Sequence, residues 1–294
     1  MVPEASRVTV EVAGRRLRLS SLEKVMYPRA GTTKAEVLDY YARISPVLLP
    51  HLAGRPVTRI RFPHGVGDMQ FFEKNIPAGT PEWVRRAGRD PVFPFVDDLA
   101  ALTFLVNLNS LELHVPQWRY EGEGRDAVAR DPDRLVIDLD PGPGTGLAEC
   151  ARVALIVRDR LGSIGLESIP VTSGSKGLQL YAVLPGSHSS DQIRDTVQQL
   201  AQELTRAHPD LVVWKMAKEL RPGKIFLDWS QNVAAKTTIC PYSLRGRDAP
   251  TVAAPRTWAE VESGAEGGDF TQLRIEQVLD RVVRDGDLAS ALTA

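Results

Sequence analysis

The amino-acid sequence predicts an α+β fold organised around a β-α-β-β-α-β unit in the middle of the chain. Three observations support this prediction. Apolar strand patterns alternate with amphipathic helix patterns between residues 134 and 229, a glycine-rich turn joins the two central strands, and the first and last strands both carry aspartates. In a split β-α-β-β-α-β unit the first and last strands lie side by side, so these aspartates should meet on one surface.

The first strand of the unit is predicted over the apolar run 134–140, Arg-Leu-Val-Ile-Asp-Leu-Asp. Side chains alternate across a strand, so Asp138 and Asp140 share one face with Val136, while Leu135 and its apolar neighbours occupy the other. Two carboxylates held this close resist ionising together unless a cation lies between them. The pattern therefore indicates a hard divalent cation bound through oxygen.

Periodicity predicts the other elements in this order: a helix over 146–161, strands over 168–172 and 178–184, a helix over 191–207 and a strand over 225–229. The last strand carries Asp228, the third aspartate. Three carboxylates on adjacent strands can hold two divalent cations about 3.5–4 Å apart, as in phosphoryl and nucleotidyl transfer. Acidic strand ends capped by water would explain any one aspartate, but explain all three together poorly.

The turn between the two central strands is Ser173-Gly-Ser-Lys-Gly177. Its glycines allow the backbone to turn tightly and to approach a ligand. Lys176 inside this turn is suited to an anion, although a lysine in a turn can also simply face solvent. We expect a phosphate-binding turn beside the aspartates.

Composition sets the class of protein. The 294 residues are 43% hydrophobic and 25% charged, which predicts one large domain or two closely joined ones. The sequence has no run of about 20 apolar residues and no secretory signal at its start, so we expect a cytoplasmic protein without membrane contact. Cys150 and Cys240 form neither a disulfide framework nor a zinc set, and are expected to be buried packing residues.

Charge is unevenly distributed along the chain. The net charge of −1 excludes a uniformly basic coat for nucleic acid, yet the segment 215–247 holds seven basic residues and two acidic ones. Such a patch suits a polyanion, whereas the alternative is a solvated loop face with incidental charge. The presence of the third aspartate within the same segment favours the first interpretation.

Six motifs resemble the polymerase domain of bacterial ATP-dependent DNA ligase D, a member of the archaeo-eukaryotic primase superfamily. They are Leu111-Glu-Leu-His-Val-Pro-Gln-Trp118, Asp138-Leu-Asp-Pro-Gly142, Val171-Thr-Ser-Gly-Ser-Lys-Gly177, Lys224-Ile-Phe-Leu-Asp-Trp-Ser-Gln-Asn232, Lys236-Thr-Thr-Ile239 and Pro241-Tyr-Ser-Leu-Arg-Gly246. The resemblance extends from about residue 7 to about residue 288, with the motifs in the family's order. No K-x-D-G ligase signature accompanies it, so we expect a polymerase domain that stands alone or is cut from a longer chain.

The resemblance implies a primase-polymerase fold, in which the β-α-β-β-α-β unit forms an RRM-like catalytic sheet and an N-terminal α/β portion packs against it. It implies a single domain over 1–294. Within this domain, 1–130 would supply 5′-phosphate and template contacts, 131–250 would form the catalytic core, and 251–294 would be a C-terminal helical extension.

The resemblance also implies roles for individual residues. Asp138, Asp140 and Asp228 match the metal-binding catalytic triad. The residues that match nucleotide contacts are Phe72, His114, Ser173, Lys176, Arg221, Gln231 and Arg245. For two of these residues a role without ligand contact stays open. His114 lies in an apolar setting that equally suits a structural histidine, and Arg221 precedes Pro-Gly and could be a solvent-exposed loop residue.

Phe71 and Phe72 match a pair of aromatic residues near the base. Adjacent residues of a strand face opposite sides, so we expect Phe71 to face the core and Phe72 to stack on the nucleotide. Lys24 and Lys34 match lysines that receive the 5′-phosphate at the far side of a gap or break.

Three residues depart from the family pattern. Gln179 replaces a histidine, and because an amide can donate a hydrogen bond but carries no positive charge, weaker electrostatic binding of a triphosphate is expected. Ser21 replaces a common asparagine near Lys24, and Ile60 occupies a position where some relatives carry lysine.

The function implied by the resemblance is template-directed addition of nucleotides to primer 3′ ends during DNA repair by non-homologous end joining. The expected cofactors are two divalent cations, with Mn²⁺ preferred and Mg²⁺ possible. The expected partners are gapped or broken duplex DNA with a 5′-phosphate, an NTP or dNTP with ribonucleotides preferred, and a separate ligase and a Ku-like protein. The expected location is the cytoplasm, at the nucleoid.

Three other functions remain open from the sequence. A nuclease or phosphatase would use the same metals, although Pro141 and Gly142 after Asp140 exclude the D-x-D-x-T motif of haloacid-dehalogenase-like enzymes. A DNA end-bridging module would bind broken ends with weak or vestigial catalysis. A primase would start synthesis without a primer.

Overall fold

The computed structural model describes residues 7–293, which form two principal β-sheets with helices packed against them. Before residue 130 the strands are β1 (Arg7–Val12), β2 (Arg15–Ser20), β3 (Val25–Tyr27), β4 (Thr32–Thr33), β5 (Thr58–Arg61), β6 (Phe71–Glu73), β7 (Arg86–Ala87), β8 (Phe93–Pro94), β9 (Ser110–Val115), β10 (Tyr120–Glu121) and β11 (Val128–Ala129). The helices of this part are α1 (Lys34–Leu52) and α2 (Leu99–Asn107).

The second part of the chain contains the predicted β-α-β-β-α-β unit. Its elements are β12 (Arg134–Pro141), α3 (Leu147–Gly162), β13 (Ser168–Thr172), β14 (Leu178–Val183), α4 (Ser190–Ala207), β15 (Val212–Val213), β16 (Ile225–Asp228), β17 (Thr238–Ile239), β18 (Ala254–Pro255), α5 (Trp258–Ala265) and α6 (Ile275–Asp285). Short 3-10 helices cover Lys218–Leu220, Trp229–Asn232 and Ser290–Leu292. The predicted order is confirmed, and β15 is an additional short strand before the last one.

The larger sheet has six strands in the order β15-β16-β12-β14-β13-β18. The first and last strands of the unit, β12 and β16, are antiparallel neighbours, as predicted. Strand β15 extends the edge in parallel with β16, and β18 extends the opposite edge beside β13. The strands that carry aspartates therefore lie in the interior of the sheet, where both neighbours restrain them.

The alternation of β12 separates a packing face from a polar face. Leu135, Ile137 and Leu139 are buried in a core shared with α3 and α4. Burying each such side chain contributes about 1.5–3 kcal/mol relative to leaving it exposed. A shift of one residue would turn these three apolar side chains outward, so this packing fixes Asp138 and Asp140 on the opposite face.

The smaller sheet has four strands in the order β17-β9-β5-β6, and its core is shared with α1 and α2. The two sheets contact each other where the buried Tyr181 hydroxyl oxygen of β14 lies 3.2 Å from the Ile239 carbonyl oxygen of β17. Strand β17 follows the β-α-β-β-α-β unit in the chain, and β18 lies in the region predicted to be helical. The predicted core portion therefore adds strand β17 to the sheet of the N-terminal portion, and the predicted C-terminal portion adds strand β18 to the sheet of the core.

None of the helices described between residues 7 and 293 combines the length and the apolar character needed to cross a bilayer.

Candidate active site

A cavity of about 490 Å³ opens between the two sheets. Eight of the residues predicted to bind metal or nucleotide line it: His114, Asp138, Asp140, Ser173, Lys176, Arg221, Gln231 and Arg245. They come from both sheets and from three loops, so the tertiary structure assembles residues more than 100 positions apart. Asp228, Phe72, Lys24 and Lys34 lie outside the wall of this cavity.

Asp138 and Asp140 line the cavity, and Asp228 lies next to them on the neighbouring strand. Asp138 lies directly opposite Asp228 in the β12–β16 register, and Asp140 follows two residues further along the same face. Burial raises the pKa of Asp138, and repulsion from Asp140 and Asp228 raises it further. Burial and the charge of Asp228 likewise raise the pKa of Asp140. The positive charges of Arg221 and Arg245 oppose this rise in pKa only in part, and Arg245 is itself paired with Glu112.

Asp228 differs from the other two because its carboxylate is turned onto its own chain. Its Oδ1 accepts hydrogen bonds from the Ser230 amide at 3.0 Å and from the Ser230 hydroxyl, and its Oδ2 accepts one from Gln231 Nε2 at 2.9 Å. The residue thus caps the 3-10 helix Trp229–Asn232. The expectation of convergence is met by the strands, whereas the side chain of Asp228 points along the backbone.

The aspartates can be tested for their fit to divalent cations. In the part of the chain that the structure describes, no three acidic, histidine or cysteine side chains already surround a single point, because Asp228 is turned away. A carboxylate oxygen has two lone pairs, so Oδ2 of Asp228 keeps one after bonding Gln231. Asp138, which is buried, and Asp140, which is half-buried, supply mutually repelling oxygens of the type that Mg²⁺ and Mn²⁺ prefer. This donor chemistry fits hard divalent cations.

The glycine-rich turn is shaped by the hydroxyl of Ser173. Its oxygen accepts hydrogen bonds from the backbone amides of Ser175 and Gly177, each at 3.2 Å. With both lone pairs used, the hydroxyl proton remains to be donated to a ligand. Gly174 has φ +69°, and a Cβ there would lie 2.5 Å from Cγ of Arg245, so this turn and the Arg245 side chain need a glycine at this position.

Arg221 is held in place before any ligand binds. Its guanidinium lies over the ring of Phe226, 3.7 Å from the centroid, and Nη2 donates to the Met216 carbonyl at 2.8 Å. The loop that carries it sits directly on β12, since a Cβ on Gly142 would come within 1.9 Å of the Arg221 carbonyl oxygen. The Arg221 guanidinium is therefore fixed beside the end of the strand that carries Asp140.

The sequence analysis missed Glu112, which organises one wall of the site. This buried carboxylate accepts from Gly246 N at 2.8 Å, contacts His114 Nε2 at 2.8 Å and pairs with Arg245 Nη1 at 3.2 Å. Burial alone would raise the pKa of Glu112, but the His114 hydrogen bond and the Arg245 charge outweigh it and lower the pKa to about 2. The available signal was the spacing Glu112-x-His114, which places both side chains on one face of a strand.

Gln179, the departure from the family pattern, is buried directly opposite Asp138 on β14. Its Oε1 accepts from the Tyr181 hydroxyl at 2.9 Å. That contact orients the Gln179 amide so that its nitrogen is left to donate to Asp138. This hydrogen bond lowers the pKa of Asp138, although burial raises it by more. Gln179 is therefore a neutral donor to an aspartate in this structure.

The prediction for Phe71 was wrong. Both rings are exposed, Phe71 by 42% and Phe72 by 58%. They lie on β6, the edge strand of the four-stranded sheet, where the sheet leaves neither face of this short strand covered. Phe72 borders a separate open cleft together with Arg61 and Lys74, so an aromatic surface is available outside the main cavity.

Lys24, just before β3, lies beside Lys34, the first residue of α1, whose backbone N–H donates to the Lys24 carbonyl at 2.7 Å. Lys34 Nζ donates to the Ser20 carbonyl at 2.7 Å and Lys24 Nζ donates to the Pro63 carbonyl. Burial of Lys34 and the neighbouring charge of Lys24 lower the pKa of Lys34 to about 8. Two ammonium groups held near each other are suited to an anion.

Comparison with known proteins gives consistent matches. A family model described as the LigD primase-polymerase domain matches residues 33–289. The multifunctional non-homologous end joining DNA repair protein LigD of Mycobacterium tuberculosis H37Rv is 48% identical over 286 residues, which cover 95% of this chain and 37% of that protein. The bifunctional non-homologous end joining protein LigD of Bacillus subtilis is 36% identical over 273 residues, covering 92% of this chain and 43% of that protein.

This chain spans less than half the length of either relative. Among solved structures, the polymerase domain of Mycobacterium tuberculosis ligase D in complex with DNA is similar with a TM-score of 0.89 and 48% identity. The match covers 95% of this chain and 98% of that one, so the likeness extends over nearly the full length of both chains.

Proposed function

Because this chain belongs to the LigD primase-polymerase domain family, we propose that it is a template-directed nucleotidyltransferase that extends primer 3′ ends at gaps or breaks in DNA. One observation supports this most directly. The two aspartates of β12 and the cationic side chains Lys176, Arg221 and Arg245 line a single cavity. Such a cavity can hold metal-bound triphosphate with its reacting phosphorus over the carboxylates.

In the proposed reaction the oxygen of the primer 3′-hydroxyl attacks the α-phosphorus of the nucleotide. A new P–O bond forms, the bond from the α-phosphorus to the oxygen bridging to the β-phosphorus breaks, and pyrophosphate leaves. The hydroxyl proton passes to solvent. Lys176, Arg221 and Arg245 would neutralise the triphosphate, and Ser173 would donate its hydroxyl proton to a phosphate oxygen.

The proposed cofactors are two divalent cations, with manganese preferred over magnesium. Asp138 and Asp140 would hold them, and Asp228 would contribute Oδ2. When bound, the cations would lower the pKa of the primer hydroxyl and neutralise the leaving pyrophosphate. We also propose that ribonucleotides are preferred, because their additional hydroxyl offers a hydrogen bond.

The proposed DNA substrate is a gapped or broken duplex with a 5′-phosphate. The exposed Phe72 ring offers a sequence-tolerant stacking surface, and the paired Lys24 and Lys34 offer a phosphate site. The relatives are named for non-homologous end joining, and the solved neighbour is a complex with DNA. We therefore propose a role in end joining at the nucleoid, in the cytoplasm, beside a ligase activity and a Ku-like end-binding protein.

The decisive test is extension of a labelled primer on a gapped duplex. Reactions with Mn²⁺ or Mg²⁺ and with NTP or dNTP should show addition that is strongest with Mn²⁺ and NTP. The matched protein is Asp138→Asn, which should bind the same DNA without extending it.

The same assay separates the other functions. Binding of gapped DNA without addition under every condition would favour an end-bridging module. Shortening of the primer would indicate a nuclease, and products made on a bare single-stranded template would indicate a primase.

A further inference from the structure

We propose that Glu112 is a positioning residue of the nucleotide site, which fixes Arg245 toward phosphate and fixes His114 as the hydrogen-bond acceptor for a sugar hydroxyl. The inference rests on the proposed function, since it takes the ligand of the cavity to be a nucleoside triphosphate. It assigns Arg245 to the phosphate end of that ligand and His114 to its sugar.

The geometry of Glu112 permits no simple substitute. The side chain is 4% exposed, and its two oxygens serve partners from two separate segments of the chain. Oε1 accepts from Gly246 N at 2.8 Å, while Oε2 contacts both His114 Nε2 at 2.8 Å and Arg245 Nη1 at 3.2 Å. One carboxylate therefore joins strand β9 to the segment that carries Arg245.

Arg245 is left with donors for a ligand. Glu112 engages Nη1, and the side chain still lines the cavity. Since a guanidinium carries five N–H donors and no acceptor, its unused donors can only be matched by acceptors such as phosphate oxygens. The Glu112 carboxylate fixes the orientation of the Arg245 guanidinium and leaves some of its N–H donors available to a ligand.

For His114 the carboxylate decides which nitrogen is protonated. An ionised carboxylate is only an acceptor, so Nε2 must carry a hydrogen to bond Glu112. Burial of His114 and the charge of Arg245 lower the pKa of the imidazole, against the opposing effect of Glu112, so the ring is neutral near pH 7. A neutral ring protonated at Nε2 has a bare Nδ1, which accepts hydrogen bonds and donates none.

A bare nitrogen cannot bond a fully ionised phosphate oxygen, because both are acceptors. It can accept from a hydroxyl, and the sugar of the nucleotide supplies that group. His114 is thereby assigned to the sugar, whereas the resemblance placed it among the nucleotide contacts without saying which part of the nucleotide it touches.

The test compares direct binding of ATP, 2′-deoxy-ATP, 3′-deoxy-ATP and inorganic tripolyphosphate by titration calorimetry with Mn²⁺ present. His114→Leu should weaken ATP binding by about three- to tenfold, the range for one neutral hydrogen bond, and should leave tripolyphosphate binding unchanged. One of the two deoxy nucleotides should show no further loss in this variant. Arg245→Gln should weaken ATP and tripolyphosphate alike, by about ten- to a hundredfold.

Glu112→Gln should weaken the binding of both ATP and tripolyphosphate. An amide has only one acceptor oxygen, so it cannot accept from both His114 and the segment that carries Arg245 and Gly246. Melting temperatures would show whether this variant is folded, and the His114 and Arg245 variants test the division of roles even if it is not. The inference is overturned if His114→Leu weakens tripolyphosphate as much as ATP, if both deoxy nucleotides lose affinity further, or if folded Glu112→Gln binds normally. Primer extension by the wild-type protein is scored separately, so its absence would refute the proposed function while the binding comparison still stands.

Discussion

Asp138 and Asp228 face each other directly across the antiparallel pair of β12 and β16, yet their carboxylates are in opposite situations. Asp228 accepts hydrogen bonds from Ser230 and Gln231. Asp138 is buried beside two other carboxylates, and its pKa is raised. The carboxylate of Asp228 therefore stabilises the fold, whereas the ionised carboxylate of Asp138 destabilises it. Replacing each aspartate should have a different effect on stability, even if both replacements abolish activity.

Replacement of any of the three aspartates should abolish nucleotide addition. Asp138→Asn, Asp140→Asn and Asp228→Ala are expected to reduce primer extension below detection, because each removes an oxygen ligand from the proposed cation site. Binding of gapped DNA should persist, since phosphate contacts come from lysines and arginines. Near-normal extension by any one variant would contradict the two-metal proposal.

The same variants should change stability in opposite directions when divalent cations are chelated. A carboxyl whose pKa is raised by folding costs stability once the pH exceeds its unfolded pKa, and the cost disappears near pH 4. Asp138→Asn should therefore raise the free energy of unfolding at pH 7.5, with no gain at pH 4. Asp228→Ala should lower it by about 1 kcal/mol, the usual cost of losing an N-cap. Urea unfolding in EDTA measures both, and equal effects would contradict the difference between the two sites.

The benefit of a 5′-phosphate should shrink as pH rises through about 8. The pKa of Lys34 is lowered to about 8, so its ammonium is mostly charged at pH 7 and mostly neutral at pH 9. We expect the affinity ratio between phosphorylated and unphosphorylated gapped DNA to fall by about tenfold over this range, as one charged contact is lost. Lys34→Arg is the matched control, because its guanidinium stays charged. A ratio that is constant from pH 7 to 9 would exclude Lys34 from the phosphate site.

Arg221 should act on the nucleotide and not on DNA. Its guanidinium is preorganised by Phe226 and Met216, so little ordering is required when a triphosphate binds. Arg221→Ala should reduce nucleotide affinity or turnover by about ten- to a hundredfold, the range for one charge-assisted contact. Arg221→Lys keeps the charge but loses the planar fork, and should recover only part of the activity. If DNA binding falls in proportion to activity, Arg221 contacts DNA.

Ser21 carries a backbone conformation that its residue type disfavours. Its φ is +54°, in the left-handed region where asparagine is tolerated better than serine. The asparagine that the resemblance implies at this position would suit this backbone geometry better. Ser21→Asn should raise the free energy of unfolding by about 0.5–1 kcal/mol, with Ser21→Ala giving no gain. Urea unfolding distinguishes the two, and equal effects would show that the position is unstrained.

Much of the core was predictable because its signals are local. The alternation from Leu135 to Asp140 and the helical periodicities on either side of the glycine-rich turn each depend on a short stretch of chain, and each appears in the structure. The turn of Asp228 onto its own backbone also had a local signal, the Asp-x-Ser spacing that leads into a 3-10 helix, but the symmetry with Asp138 obscured it.

The sequence by itself determined the element order of the β-α-β-β-α-β unit, the face that carries Asp138 and Asp140, and the family to which the chain belongs. Only the tertiary structure decided that Glu112 joins His114 to Arg245, that both Phe71 and Phe72 are exposed, and that Lys34 is buried beside Lys24. The reason is physical. Alternation and capping depend on neighbours in the chain, whereas a carboxylate's partners, an edge strand's exposure and a lysine's pKa depend on segments that only folding brings together.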